Sequence, residues 1–267
     1  MVTAIDIGAT KTLIAQFDAS MNPTHEIRFE TNQDSLIFLN ELKSHLLKFS
    51  HVSVIVAGVP GIVSHDGVIL KCGNLPWKNF NLAAELSNIY DCPVFIENDA
   101  SLAALSEVNL LKPIPVTGLY LTISTGIGGG IIVGGRLLDG LKQSEPGHIL
   151  IKRDGLWSEW EDFASGSAIK KQFGKLARDI ESDEDWQLIT ENIAEGLYAL
   201  IPVLQPNVII FGGGVGKYFD RFEHMLTEKL SKNLPEYISR PKLTEAKHPD
   251  EAVLYGCYYY AQHQIQV

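Results

Sequence analysis

The chain has 267 residues, 22 Lys and Arg against 32 Asp and Glu for a formal charge of −10, and 45% hydrophobic and 20% charged residues. That mixture is globular rather than disordered, and the negative charge argues against broad attraction to nucleic acid or an anionic membrane. Cys72, Cys92 and Cys257 are too scattered for a disulfide framework or a metal knuckle; with no leader-like start and no apolar run near the ~20 residues of a membrane span, a cytoplasmic protein is expected.

In chain order, Val2 to Ile7 reads as a strand, Gly8-Ala9-Thr10 as a small-residue turn, and Thr12 to Phe17 as a second strand. An amphipathic helix is expected from Gln33 to Lys48, with Leu36, Leu39, Leu42 and Leu46 on one face. Val52 to Val56 reads as a buried strand ending at Ala57-Gly58-Val59-Pro60-Gly61. Pro93 to Ile96 is another strand, followed by an Ala- and Leu-rich helix from Asp99 to about Leu111. Lys112-Pro113-Ile114-Pro115 breaks that pattern and marks a domain boundary. Beyond it, Ile123 to Ile132 aligns without gaps on Ile5 to Ile14, each copy reading as strand, glycine turn, strand. Because each copy opens its own half of the chain, a duplicated two-domain α/β architecture with an interdomain cleft follows. Helices are expected at Trp186 to Leu204 and Tyr218 to Leu230, with strand Val208 to Phe211 between them. The expected domains are residues 1–112, completed by a closing helix over residues 251–262, and residues 113–250.

Glycine lets backbone N–H groups approach an anion closely, so the turns at Gly8 and Gly126 suggest phosphate binding. Neither is a P-loop, which needs GxxxxGK[ST] leading into a helix; either one alone is equally a tight hairpin turn. Gly212-Gly213-Gly214 follows a strand and precedes a helix, where α/β sheets often hold ligands. Three such loops favour nucleotide binding. Glu97-Asn98-Asp99-Ala100 sits at a strand–helix junction, where Asp99 is either an N-cap or a carboxylate placed to take a proton from an attacking hydroxyl. Asn98 beside it offers a donor and an acceptor suited to a polyol. Glu145-Pro146-Gly147-His148 and Glu161 supply two carboxylates and an imidazole that suit vicinal hydroxyls, although His148 alone is an ordinary structural histidine. Trp77, Trp157 and Trp160 are candidates for an apolar wall against a sugar face or for core packing. Lys152-Arg153-Asp154-Gly155 reads as a short polar turn.

Together, in order and spacing, these motifs resemble the ROK family of repressors and sugar kinases, which has the actin-like ATPase (ribonuclease H-like) fold. The match covers nearly the whole chain: Asp6 to Lys11, Glu97 to Ala100 with Ala103, Ala104 and Glu107, Ser124 to Gly130, Glu145 to His148, Glu161 to Gly166, and Gly212 to Val215. The resemblance implies that Asp6, Gly8, Thr10 and Lys11 serve the magnesium and phosphate side of ATP, with Asp6 toward Mg²⁺. It implies that Thr125 and Gly126 hold phosphates and that Gly213 and Gly214 lie against the adenosine. On the sugar side it implies Gly61, Asn74, Asn98, Asp99, Glu145, His148 and Glu161, with Asp99 as general base.

Two departures stand out. Ala9 replaces a glycine usual in the first phosphate loop, and Ile151 to Trp160 lacks the zinc-binding cysteine cluster of many members. No zinc is therefore expected, and a packed turn near Trp157 and Trp160 is expected in its place. No DNA-reading extension precedes Asp6, which disfavours the repressor branch. The expected activity is ATP- and Mg²⁺-dependent phosphorylation of a hexose, glucose first, with N-acetylmannosamine or another amino sugar as the alternative acceptor. A non-catalytic sugar-binding regulator is the rival of another class; Asp6, Lys11 and Asp99 together argue against it. Glycoside hydrolysis by paired carboxylates leaves the glycine loops unexplained. The expected partners are a small sugar and ATP, with no nucleic acid and no membrane; a homodimer is compatible with the sequence.

Overall fold

The computed structural model describes residues 1–248 and 251–265. The chain forms two compact units. Unit 1 gathers Met1–Ser106, Arg136–Gln143 and the C-terminal segment; unit 2 runs over Glu107–Gly135 and from Ser144 onward. The division falls within a helix after Ser106, not at the Lys112-Pro113 break, and the expected domain end at residue 250 lies outside the described residues.

In unit 1, strands β1 (Val2–Ile7), β2 (Lys11–Phe17), β3 (Pro23–Glu30) and β4 (Val54–Val59) precede a small three-stranded sheet of β5 (Gly61–Val63), β6 (Ile69–Cys72) and β7 (Lys78–Phe80). With β8 (Val94–Asn98), the main sheet has the order β3-β2-β1-β4-β8. β1 and β2 are antiparallel, while β4 and β8 run parallel to β1. β4 begins two residues later than the sequence pattern indicates and continues through Ala57-Gly58-Val59, because every residue of the strand is buried and no polar position interrupts it.

Helix α1 (Ser35–Leu46) is capped by Asp34, whose side chain accepts from the Leu36 and Ile37 amides. Its core face is Phe38, Leu39, Leu42 and Leu46. Leu36 is 68% exposed, because i+3 and i+4 spacing from Leu42 and Leu46 selects Phe38 and Leu39 instead. Helix α2 (Leu82–Ser87) precedes β8, and helix α3 (Asp99–Asn109) follows it directly.

Unit 2 carries β9 (Thr117–Ile123) and β10 (Ile127–Val133); the two-residue β11 (Arg136–Leu137) belongs to unit 1. A hairpin of β12 (Leu150–Arg153) and β13 (Leu156–Glu159) follows, then α4 (Glu161–Ala164), α5 (Gly166–Phe173) and the long α6 (Asp183–Leu204). Strand β14 (Val208–Gly212), α7 (Gly213–Gly216), α8 (Phe219–Asn233) and β15 (Lys242–Glu245) complete the unit, whose strands run β10-β9-β14-β15. The polar turn at Lys152 to Gly155 is thus a β-hairpin, with Asp154 and Gly155 both at positive φ, 49° and 82°, as a two-residue turn requires.

Each unit opens with an antiparallel hairpin that pairs with a later parallel strand, β4 in unit 1 and β14 in unit 2. The gapless match between the two copies is nevertheless two residues out of structural register. Gly8 is the first residue of its turn, after Ile7, whereas Gly126 is the last of its own, before Ile127.

Helix α9 (Ala252–Ile265) packs on β1 and β4 within unit 1. Gly256 permits a close crossing with α3: a Cβ there would lie 2.9 Å from Leu102 Cα and against its carbonyl. Gly256→Ala is therefore expected to cost about 1–3 kcal/mol through overpacking, roughly 2–4 °C in Tm per kcal/mol. Thermal unfolding checks this, and an unchanged Tm would show that the crossing has slack.

Candidate active site

In unit 1 the end of β1 and the β8–α3 junction carry the titratable groups. Asp6 is half-buried, and its carboxyl is pushed up to about 7 by burial and by the charge of Asp99, with Lys11 pulling the other way. Burial likewise raises Asp99, against the bond its Oδ1 accepts from the Ala100 amide at 2.7 Å. A buried carboxyl whose proton affinity is raised further by a neighbouring carboxylate favours either a shared proton or a cation. Asp99 is not the capping acceptor of α3. Asn98 takes that part, its Oδ1 accepting from Ser101 N at 2.9 Å while its Nδ2 donates to Gly61 O at 3.0 Å. These bonds use part of the hydrogen-bonding capacity expected for a polyol.

Gly61, Asn98 and Asp99 therefore come together. Gly61 sits at φ 145° where a Cβ would collide with the Lys71 carbonyl, and it pairs in register with Cys72. The Cys72 thiol is pushed up to about 11 by burial and by the Asp99 charge, which puts it in the same neighbourhood. Asn74 is exposed just beyond, next to Gly73, whose amide donates to Pro60 O at 2.8 Å. Gly8 donates to Lys11 O at 2.9 Å in the β1–β2 turn, and Thr10 and Lys11 are exposed there.

Behind the junction, Glu97 is buried rather than paired with backbone. It accepts from Lys142 at 2.8 Å and from Tyr260 Oη, and Lys142 also donates to Tyr260 Oη at 2.7 Å. Nothing in the spacing of residues 97, 142 and 260 announces this triad.

In unit 2 the turn Glu145 to His148 packs on the start of β10. Gly147 allows it, since a Cβ would strike the Ile127 carbonyl, and Gly129 faces Pro146 in the same way. Glu161, the first residue of α4, reaches this strand too: its Oε2 accepts from the Ile127 amide at 3.0 Å. Its other oxygen lies 4.0 Å from His148 Nδ1, and Glu159 Oε2 lies 2.7 Å from the same nitrogen. Bonding to Glu159 and the charges of Glu161, Glu159 and Glu145 hold the imidazole above its ordinary range, against partial desolvation.

A cavity of about 510 Å³ in unit 2 is lined by Thr125, Gly214, Lys170, Arg178, Lys217 and Tyr218, among others. It has the size and the mixture of polar, cationic and aromatic groups that suit a small ligand. The paired glycine assignments divide at this point. Thr125 lines the cavity, whereas Gly126 turns to Glu161, and a Cβ there would run into Glu161 Oε2. Gly214 lines the cavity in open space, whereas Gly213, at φ 78°, lies against Ile123, where a Cβ would be 2.6 Å from the carbonyl oxygen.

Two of the tryptophans proposed for a sugar wall are core. Trp77 is 3% exposed and donates to Gln33 O at 2.9 Å. Trp160 is fully buried against Gly196 and donates to Asn192 O at 3.0 Å. Trp157 is 66% exposed on the β12–β13 hairpin.

The cysteine-bound zinc of many ROK members finds no fit in these residues. Cys72, Cys92 and Cys257 all lie in unit 1, and the metal-capable cluster found among the described residues is His148, Glu159 and Glu161, with ligating atoms within 4.8 Å of one another. One imidazole and two carboxylates lack the thiolates and the fourth ligand of a closed structural site.

The sequence signature of the ROK family matches residues 2–264. The chain is 31% identical to a fructokinase of Lactococcus lactis subsp. cremoris over 79% of its length and 78% of the relative's. It is 30% identical to a fructokinase of Pediococcus pentosaceus, over 70% of each. The fold superposes on a ROK hexokinase from Thermus thermophilus with a TM-score of 0.82 at 26% identity, covering 99% of both chains. No described helix is long and apolar enough to cross a membrane. A signature spanning nearly every residue, on the two-domain actin-like ATPase fold, settles the family: the chain belongs to the ROK family.

Proposed function

We propose that the chain transfers the γ-phosphoryl group of ATP to a hydroxyl of a hexose. Asp99 carries the reading. It is a carboxylate at a strand–helix junction, raised above the usual carboxylate range by burial, with a backbone amide on Oδ1. A carboxylate of raised proton affinity is a better general base toward an alcohol. In this reading Asn98, Gly61 and Asn74, and likewise Glu145, His148 and Glu161, are the residues assigned to the acceptor.

Asp6, Gly8, Thr10, Lys11, Thr125, Gly126, Gly213 and Gly214 serve ATP, Gly126 and Gly213 by keeping their turns close to Glu161 and Ile123. Asp6 fits Mg²⁺, since a cation would offset the burial and the Asp99 charge that raise its carboxyl. When bound, the ion would supply charge neutralisation on the transferring phosphoryl group; the residues orient the two substrates.

Two relatives at 30–31% identity are named fructokinases, which supports fructose as an acceptor to test beside glucose. A coupled assay of ADP release over hexoses and their N-acetyl amino derivatives tests this. Mg²⁺-dependent ADP release with fructose is the expected result. Release with glucose or an amino sugar alone would move the acceptor, and sugar binding with no release would make the chain a regulator.

A further inference from the structure

The imidazole of His148 has a partner that no motif assigned. The β12–β13 hairpin pairs Leu150 with Glu159, so the two-residue Asp154-Gly155 turn brings residue 159 back beside the Glu145 to His148 turn. Both segments are pinned: Trp160 N donates to Ile149 O at 2.9 Å, and His148 N donates to Glu145 O at 3.1 Å. Asp162 Oδ2 further accepts from the Glu159 amide at 3.1 Å. The result is a 2.7 Å contact between Glu159 Oε2 and His148 Nδ1 on a ring whose side chain is 50% exposed.

We propose that Glu159 is a positioning residue for His148: its carboxylate accepts from Nδ1–H and leaves Nε2 as the ring nitrogen presented to the acceptor sugar. This rests on the assignment of His148 to the sugar in the proposed kinase reaction. A ring nitrogen held by a carboxylate fixes the tautomer, the orientation and the basicity of the other nitrogen, as outer-shell carboxylates do for ligating histidines. In this chain the carboxylate does so in a segment without cysteines. Glu161 is the farther of the two carboxylates, at 4.0 Å, and has its own bond to the Ile127 amide. Glu159 is thus the group that sets the ring. The titratable groups facing the imidazole are Glu159, Glu161 and Glu145, and all three favour its protonated form. Removing Glu159 therefore lowers the pH at which the ring loses its proton. The proton that lets Nε2–H donate to a sugar hydroxyl is then lost earlier as pH rises.

The test compares the full-length protein with Glu159→Ala and Glu159→Gln. Ring nitrogen NMR of His148, followed over pH, reads the link without reference to catalysis. Wild type is expected to titrate above the ordinary histidine range with Nδ1 protonated. Glu159→Ala should titrate lower and lose the Nδ1–H preference, and Glu159→Gln should titrate lower but keep it. In kinetics, Glu159→Ala should raise the sugar KM roughly 10-fold, with kcat and the ATP KM changed less than about twofold. Glu159→Gln should recover most of that loss at low pH. Identical His148 titration in the three proteins would overturn the link. A sugar KM or calorimetric sugar Kd unmoved by Glu159→Ala, despite a shifted titration, would overturn the positioning role. Stoichiometric zinc bound through His148 would overturn both. If wild type phosphorylates no sugar, the kinase proposal fails by itself, and the NMR and calorimetric arms still decide the role of Glu159.

Discussion

Asp99→Asn is expected to leave the fold and sugar affinity in place while lowering kcat by roughly 10²–10⁴-fold, the usual contribution of a positioned general base. The substitution is nearly isosteric, and an amide oxygen can still accept from the Ala100 amide. What it removes is the basic oxygen and the charge, and removing the charge has a second, opposite consequence. Burial and Asp99 together lift Asp6 from an ordinary 3.8 to about 7, and Asp99 is itself raised. An acid raised in the folded state binds its proton more tightly there than in the unfolded chain. Its stabilising contribution is therefore complete below about 4 and is lost as pH rises through about 7. Asp99→Asn relieves that repulsion, so without Mg²⁺ its Tm should exceed wild type at pH 8 and approach it at pH 4. The gain should amount to roughly 2–4 °C for each kcal/mol relieved. Activity and stability would then move in opposite directions, as expected where a site holds like charges together for its chemistry. Near-normal kcat in a folded variant removes Asp99 from the reaction. A lower Tm at pH 8 shows that the two carboxylates are not in conflict.

Much of the site was legible because local patterns announced it. The apolar run before Asn98 and the Ala-rich stretch after Asp99 mark a strand–helix junction from composition alone, and β8 and α3 meet there. The roles within the junction were less legible. Capping chemistry suits Asn and Asp equally, and only the folded structure shows that Asn98 bonds Ser101 while the Asp99 charge acts on Asp6. Gly126 shows the same limit: a glycine signals a close approach, but the sequence does not say to what. Its near neighbour is a carboxylate 35 residues away in the chain, that of Glu161. The Lys142–Glu97–Tyr260 triad is tertiary throughout and has no sequence signal. Glu159 did have one. Asp154-Gly155 is a strong two-residue hairpin signal, and counting outward through Arg153 and Leu156 puts residue 159 opposite residue 150. Reading that segment as a bare turn hid the register. Trp160 was a candidate for a ligand wall because large aromatics serve both roles; Gly196 beneath it decides for the core.

The Glu161 carboxylate joins two parts of unit 2, with one oxygen on the Ile127 amide at the β9–β10 turn and the other near His148. Glu161→Ala is expected to raise the sugar KM roughly 10–100-fold, the loss of one charge-assisted hydrogen bond worth about 1.5–3 kcal/mol, with a smaller effect on the ATP KM. Gly126 makes the assignment sharper. A Cβ at position 126 meets Glu161 Oε2, so Gly126→Ala should push the carboxylate off the Ile127 amide and reproduce much of the Glu161→Ala defect. In a chain already carrying Glu161→Ala the obstruction is gone, and the added methyl should cost little. The double-mutant cycle is therefore expected to be non-additive by roughly 0.5–3 kcal/mol in kcat/KM for sugar. Additive losses would mean that Gly126 is required for something other than room for Glu161, such as phosphate approach. An ATP KM raised with the sugar KM unchanged in Glu161→Ala would take this carboxylate out of acceptor binding and leave it as a brace for the turn that carries Thr125.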